Sequence, residues 1–218
     1  LEVTETIRAR VEGREIRRGI IREFPLRHGD GGRTSFEVVD VTRGGAPVPF
    51  EVTDAAGRAR VRIGDASFLL PTPSTQTWTL TYRTAGQLRR FEGYDELYWN
   101  VTGNDWTLPI EEAVVEITLP DATEILQFAG YTGPRGAQGE AFAVTAAEAG
   151  VFRARTTEPL AAGEGFTVAV AWPIGVVGGV GPLTGPQVLG LPLLPVALGA
   201  AVAAGLALCL GLWWRHGR

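Results

Sequence analysis

Apolar and polar residues alternate along most of the first 174 positions. From Leu1 to Val11 the odd positions are apolar or small, except Glu5, and the even positions are polar. A period of two predicts a strand with one buried face, so we expect Glu5 to pair with a nearby arginine or to mark a sheet edge. Similar segments, separated by Gly-rich turns, recur as far as Trp172. The pattern predicts a mainly β chain, folded as an antiparallel β-sandwich over residues 1–174.

The segment from Arg58 to Ile63 alternates three arginines with three apolar residues. The arginines could form a basic patch for an anionic partner. They could also be the solvated face of an antiparallel strand, since such sheets commonly leave one face in water. We favour the solvated face.

The chemistry of the chain changes after Ile174. Residues 175–190 are uncharged and rich in Gly and Pro, which predicts a linker. Residues 191–214 are apolar and long enough to cross a bilayer as one helix, and the stub at 215–218 contains Arg215 and Arg218. Positive residues favour the cytoplasmic side. We therefore expect a protein of the cell membrane, held in the lipid bilayer by this helix, with residues 1–174 outside the cytoplasm.

Composition narrows the possible partners. All 20 basic residues are arginine, and the part before the apolar tail has 18 of them against 24 acidic residues, a formal charge of −6. An acidic domain argues against nucleic acid as a partner. The chain has a single cysteine, Cys209, which excludes an intramolecular disulfide. Because the sequence contains no Met and no signal peptide, we expect it to be a fragment of a longer bacterial protein.

The stretch Tyr94–Pro109, which reads YDELYWNVTGNDWTLP, is the densest in aromatic and polar side chains. On a strand, Leu97 and Trp99 would share a buried face while Tyr98 would lie on the other. This favours a folding motif, but it leaves a candidate binding site for envelope polysaccharide. We name Tyr98, Asp105 and Trp106 as its residues.

The same stretch resembles the signature of the predicted membrane proteins grouped as domain-of-unknown-function family 2207. There, Asp-Glu-Leu-Tyr-Trp-Asn is followed by Thr-Gly-Asn-x-Trp and a Pro. The resemblance extends to Arg17–Pro25, Arg62–Asp65 and Tyr131–Gly133. It implies an exported β-domain followed by membrane helices and a further C-terminal region. Family members often have a cysteine pair around the Tyr-Thr-Gly turn, where this chain has Gly130 and Ala141.

Three roles are open at this point. The first is a non-catalytic module that binds envelope polysaccharide or partner membrane proteins. The second is an envelope glycan hydrolase, which needs two carboxyls about 5–10 Å apart; Asp95 and Glu96 would point to opposite faces of a strand. The third is a sortase-anchored wall protein, suggested by Gly181-Pro-Leu-Thr-Gly185 before the apolar tail. We assign no catalytic residue, no metal and no cofactor.

Overall fold

The computed structural model describes residues 1–27 and 32–180, together with the short strands Gln187–Val188 and Leu191–Pro192. In this part of the chain every strand pairing is antiparallel, and the helical content is one 3-10 turn at Pro120–Ala122. The predicted class, mainly β with antiparallel sheets, is confirmed. The chain divides into two compact units, Leu1–Gln87 and Leu88–Arg218. Their boundary falls inside the range that we predicted as one domain.

The first unit contains a four-stranded and a three-stranded sheet. Its strands are β1 (Glu2–Val11), β2 (Gly19–Pro25), β3 (Ser35–Arg43), β4 (Ala46–Pro47), β5 (Phe50–Ala55), β6 (Arg58–Gly64) and β7 (Ser74–Ala85). The sheet orders are β1-β7-β3-β4 and β2-β6-β5. Their buried faces follow the period-two pattern: Trp78, Leu80 and Tyr82 on β7 are at most 1% exposed.

Glu5 forms the ion pair that its inward position predicts. Its carboxylate accepts hydrogen bonds from Nε and Nη2 of Arg22 at 2.7 and 3.0 Å, and from the Tyr82 hydroxyl at 3.1 Å. Phe24 lies 4.8 Å from the Tyr82 ring, centroid to centroid. Buried charges persist only when paired and hydrogen-bonded, so this network allows a carboxylate to lie between strands β1, β2 and β7.

The three arginines of β6 each have an acidic partner on a neighbouring strand. Arg58 and Arg60 pair with Glu23 of β2, and Arg62 pairs with Glu51 of β5. The pairs are partly or largely exposed, as on the solvated face of an antiparallel sheet. The structure therefore supports the solvated face over a basic patch.

The second unit also contains two sheets. Its strands are β8 (Leu88–Phe91), β9 (Tyr94–Asn100), β10 (Val114–Thr118), β11 (Gln127–Gly133), β12 (Phe142–Glu148), β13 (Val151–Thr156), β14 (Gly165–Pro173), β15 (Gln187–Val188) and β16 (Leu191–Pro192). The larger sheets have the orders β11-β14-β9-β8 and β10-β13-β12, and β15 pairs with β16.

One hydrophobic core joins the two larger sheets of this unit. Strand β14 contributes every second residue from Phe166 to Trp172, and β9 contributes Leu97. The three-stranded sheet contributes Val115 and Phe152. Because the side chains of β14 alternate between faces, its remaining residues lie on the side of the sheet that faces away from this core.

The predicted C-terminal features fall largely outside the described residues. Residues 193–218 hold most of the predicted membrane helix 191–214 and all of the stub 215–218, and the linker 175–190 is described only in part. In the residues that the structure does describe, there is no helix with the length and apolar character to cross a membrane.

Candidate functional site

The sheet β11-β14-β9-β8 has an outer face, which we define as the face turned away from the core of the second unit. On it, Tyr98 of β9 is aligned with Ala169 of β14, and Glu96 is aligned with Ala171. Tyr131 of β11 is aligned with Thr167. Ala169 and Ala171 are at most 1% exposed although they lie outside the core. Small residues on the central strand thus form a floor that is covered by larger side chains from the flanking strands.

Glu96 is the most unusual residue of this face. Its side chain is 1% exposed, and neither carboxylate oxygen accepts a hydrogen bond from any described residue. Burial raises the pKa of Glu96, and nearby Arg89, its neighbour on β8, offsets only part of that effect. A buried carboxyl without hydrogen bonds is far less costly when protonated. Glu96 is therefore held as a neutral acid over a wider pH range than a solvated glutamate.

Tyrosines surround Glu96 on the outer face. The side chain of Tyr94 hydrogen-bonds to the side chain of Gln127 on β11. These two side chains therefore meet over Ala171, which is part of the floor. Desolvation raises the pKa of Tyr94, Tyr98 and Tyr131, and a smaller contribution in each case comes from Glu96. The carboxyl group therefore lies within electrostatic range of three phenols that come from two strands.

Asp95, the neighbour of Glu96 in sequence, has the opposite environment on the opposite face. Its fully buried carboxylate accepts hydrogen bonds from Nε and Nη2 of Arg90 at 2.8 and 3.1 Å, and from the backbone N–H of Gly175 at 3.2 Å. Desolvation would raise the pKa of Asp95, but these hydrogen bonds outweigh it and the pKa lies below its usual value. Asp95 is thus a structural anion, and the two acids do not form a pair.

A groove of about 210 Å³ opens at one end of the outer face. Tyr98 and Tyr131 contribute aromatic rings, and Asn100, Asn104 and Thr167 contribute amide and hydroxyl groups. The remaining wall is the loop after β11, and the described residues that line the groove include no Asp or Glu. Tyr98 is 41% exposed, so its ring is accessible from solvent.

The turn after β9 forms one wall of the groove and is held by its own side chains. Asn100 Oδ1 accepts a hydrogen bond from Gly103 N at 2.9 Å, and Asn100 Nδ2 donates to Asn104 Oδ1 at 3.2 Å. Asn104 Nδ2 donates across the groove to the carbonyl of Gly133 at 3.2 Å. Asn and Asp favour turns because their side chains bond to nearby backbone. Asn100 and Asn104 are therefore held at the groove by hydrogen bonds within the turn and to the loop after β11.

The opposite wall is a tight loop that presents Arg135. A two-way backbone bridge between Thr132 and Gly139, with N···O distances of 2.7 and 3.1 Å, closes its base. Ala137 N donates to Pro134 O at 2.9 Å, which completes a turn around Arg135. The guanidinium lies 3.8 Å from Asp105 Oδ1, and both side chains are largely exposed.

The three predicted site residues occupy different positions around this groove. Tyr98 lines it, and Asp105 reaches it through Arg135. Trp106 is half-buried and is not among the lining residues; its Nε1 donates to the carbonyl of Thr102 at 2.9 Å. The sequence reasoning missed Tyr131 and Arg135 as site residues, although Tyr131 begins the Tyr-Thr-Gly signal that the resemblance had singled out and Arg135 lies two positions after it. It also missed the burial of Glu96, because strand alternation places that residue on a face that is expected to be wet.

The arrangement offers no evident metal centre. In residues 1–27 and 32–180 there is no group of three or more His, Cys, Asp or Glu side chains placed to hold an ion. The chemistry available at the groove is aromatic stacking, neutral hydrogen bonding and one guanidinium.

Residues 1–172 match the family model described as the N-terminal domain of a predicted membrane protein, DUF2207. The chain belongs to the DUF2207 family. The match confirms the resemblance, and it covers the described strands β1 to β13 and nearly all of β14. Family membership places this DUF2207 domain among predicted membrane proteins.

A relative of the DUF2207 domain is the uncharacterized protein YciQ of Escherichia coli strain K12. The two are 29% identical over 114 residues, which is 50% of this chain and 18% of YciQ. The aligned region is thus less than a fifth of the length of that relative. No solved structure matches the chain.

Gly130, one of the two positions at which the resemblance implies a cysteine in many members, lies against an aromatic ring. A Cβ built on Gly130 would lie 2.7 Å from the ring of Phe142 on β12. The Phe142 ring in turn lies 6.0 Å from that of Phe166, centroid to centroid. Here the larger side chain comes from β12 and requires a glycine on β11.

Proposed function

We propose that this chain is the extracytoplasmic, membrane-anchored binding module of a bacterial cell-envelope protein, and that its groove binds envelope polysaccharide without catalysis. The observation that carries the proposal is the groove itself, where Tyr98 and Tyr131 stand beside the amides of Asn100 and Asn104. Aromatic faces with a few well-placed polar groups are typical of small-molecule sites. Sugar rings present both an apolar face and hydroxyls, which such a lining can engage.

The size of the groove favours one unit of a polymer over a complete small ligand. Its volume of about 210 Å³ is below the range of about 300–1,000 Å³ that is common for ligand pockets. A rigid turn on one side and a closed loop on the other keep the groove preformed, which lowers the entropy lost on binding. One repeating unit would rest on Tyr98, and the rest of the polymer would extend into solvent.

The placement of the acids supports binding rather than hydrolysis. A glycosidase needs two carboxyls facing each other across the scissile bond. Asp95 is buried on the core face in its pair with Arg90, and Glu96 is covered on the outer face. Since no carboxylate is among the lining residues that the structure describes, these residues provide neither the nucleophile nor the acid of such a reaction.

The membrane-anchored arrangement rests on the family and on hydropathy. Membership of a family of predicted membrane proteins agrees with the uncharged stretch at 191–214, which is long enough for one helix across the bilayer. In this proposal each β unit is a sandwich of its two facing sheets on the outer side, residues 175–190 are the tether, and residues 215–218 lie in the cytoplasm.

The test is binding of the full chain to isolated bacterial cell-wall polysaccharide, with Tyr98→Ala as the diagnostic variant. Loss of the exposed ring should weaken binding about tenfold, because a central aromatic contact is commonly worth at least about 1.4 kcal/mol. Phe50→Ala is the matched control, since Phe50 is an exposed aromatic (45%) of the first unit. Unchanged binding by a folded Tyr98→Ala protein would contradict the proposal. An equal loss of binding affinity in Tyr98→Ala and Phe50→Ala would also contradict the proposal.

A further inference from the structure

We propose that the groove selects an acidic carbohydrate, and that Arg135 pairs with a carboxylate or phosphate group of the ligand in exchange for Asp105. The inference rests on the proposed function, because it assigns a ligand class to the same groove. It adds a charge preference that aromatic rings and amides alone would not give.

Of the described residues that line the groove, Arg135 is the one that carries a formal charge. The others are Tyr, Asn, Thr, Gly, Pro and Ala. A single guanidinium in a lining of neutral hydrogen-bonding groups attracts an anion and leaves the sugar hydroxyls to the amides. Guanidinium groups bind planar carboxylates and phosphates through paired hydrogen bonds, which makes these contacts stronger than neutral ones.

The loop fixes the backbone position from which Arg135 acts. It is closed by the bridge between Thr132 and Gly139 and by the turn from Pro134 to Ala137. Gly136, with φ of +86°, adopts a conformation that other residues rarely take. Side chains presented from a closed turn lose less conformational freedom on binding than those on an open loop.

The present partner of Arg135 is held weakly enough to be exchanged. The Arg135–Asp105 pair has an N···O distance of 3.8 Å, and its side chains are 76% and 56% exposed. Exposed pairs of this kind contribute little free energy. A ligand anion within the groove, at normal hydrogen-bond distance and less hydrated, would be the better partner.

The buried acid next to the groove does not oppose an anion. Desolvation raises the pKa of Glu96, and its carboxyl lies in electrostatic range of both groove tyrosines. In its neutral form it adds no negative charge beside the site. Asp105, the acidic partner of Arg135, then competes with an anionic ligand, which predicts that removing its charge strengthens binding.

The experiment measures binding of the full chain, in detergent micelles, to three oligosaccharides of equal length: a neutral glucan, a uronate-containing chain and a phosphate-substituted chain. We expect the wild-type protein to prefer at least one acidic chain by about tenfold, as a charge-assisted hydrogen bond allows. Arg135→Gln should abolish that preference. Asp105→Asn should strengthen acidic binding by about two- to fivefold.

Arg153→Gln is the matched control, because Arg153 is a partly exposed arginine in the same unit that pairs with Glu116 away from the groove; it should behave as wild type. A preference for the uronate-containing chain would identify the recognised anion as a carboxylate, and a preference for the phosphate-substituted chain would identify it as a phosphate. Equal affinity for neutral and acidic chains would overturn this inference but leave the proposed function standing. An Asp105→Asn protein with weaker acidic binding would also overturn it. Failure to bind any of the chains would count against both proposals.

Discussion

At the scale of single residues, two adjacent acids in the same strand have opposite roles. Asp95 faces the core side, where Arg90 and a backbone N–H neutralise it, and its pKa is lowered. Glu96 faces the outer side, is equally buried and has no hydrogen-bond partner among the described residues, and its pKa is raised. Since strand alternation sends neighbours to opposite faces, one dipeptide contains a structural anion and a neutral acid.

The two acids should give opposite pH dependences of stability. A raised pKa in the folded state means that the unfolded chain releases the proton of Glu96 first, so Glu96 destabilises the fold progressively as the pH rises above about 4.5. At pH 8, Glu96→Gln should increase the free energy of unfolding by about 1–3 kcal/mol, because Gln cannot ionise, whereas the wild type must bury an unpaired charge or hold a proton that the unfolded chain releases. At pH 4 the two proteins should be nearly equal. Urea unfolding followed by tryptophan fluorescence measures the difference.

Two further variants calibrate that measurement. Asp95→Asn should lower the free energy of unfolding at pH 7 by about 1.5–3 kcal/mol, because it weakens charged hydrogen bonds. The loss should shrink as the pH falls below 3.8, where the stabilisation due to the lowered pKa disappears in the wild type. Glu92→Gln, at an exposed position of the β8–β9 turn, should have no effect. A Glu96→Gln protein that is less stable than wild type at pH 8 would contradict the assignment of a neutral acid.

At the scale of strands, the fold depends on where large and small side chains meet. Gly130 on β11 leaves room for the ring of Phe142 on β12, and β11 belongs to the four-stranded sheet while β12 belongs to the three-stranded one. Phe142 packs against the core cluster of the second unit. The contact therefore joins the two larger sheets of that unit at a point where no side chain larger than hydrogen fits on β11.

Gly130→Ala should destabilise the second unit by about 1–3 kcal/mol, the usual penalty for overpacking a core. In the double variant Gly130→Ala with Phe142→Ala, the loss of stability should be smaller than the sum of the two single losses, because the smaller residue at 142 removes the clash. Gly178→Ala is the control, since nothing lies within 4 Å of a Cβ at that position. Strictly additive effects would show that the ring and the glycine are not coupled. Thermal unfolding of the single and double variants provides the comparison.

The strands could be predicted from the sequence, whereas the groove could not. Period-two alternation predicted β1, including the inward Glu5, and it predicted that Leu97 and Trp99 would face the core while Tyr98 would not. The groove arises where the turn after β9 meets the loop after β11, and a hydrogen bond from Asn104 to Gly133 joins them. The pattern of residues along a single strand contains no information about which turn and which loop come into contact. The burial of Glu96 likewise depends on which strands pair beside β9, which alternation within one strand does not specify.

At the scale of the whole molecule, the topology prediction concerns which side of the membrane the β units occupy. The chain has one cysteine, Cys209, so a Cys209→Ser background allows single reporters. A Glu124→Cys reporter, at an exposed position of the second unit, should react with a membrane-impermeant maleimide in intact cells. A reporter at His216→Cys, in the predicted cytoplasmic stub, should react only after the cells are opened. The reverse pattern would contradict the proposed orientation.

The position of β14 has a mechanical consequence. It is the last strand of the two larger sheets of the second unit, and it lies between β11 and β9 with antiparallel partners on both sides. The hydrogen bond from Gly175 to Asp95 fastens the chain just after Pro173. Tension applied along the strand from its C-terminal end would load both ladders in shear, so that many hydrogen bonds resist together instead of opening one by one. A strand placed in this way is suited to bear a load that is applied from its C-terminal end.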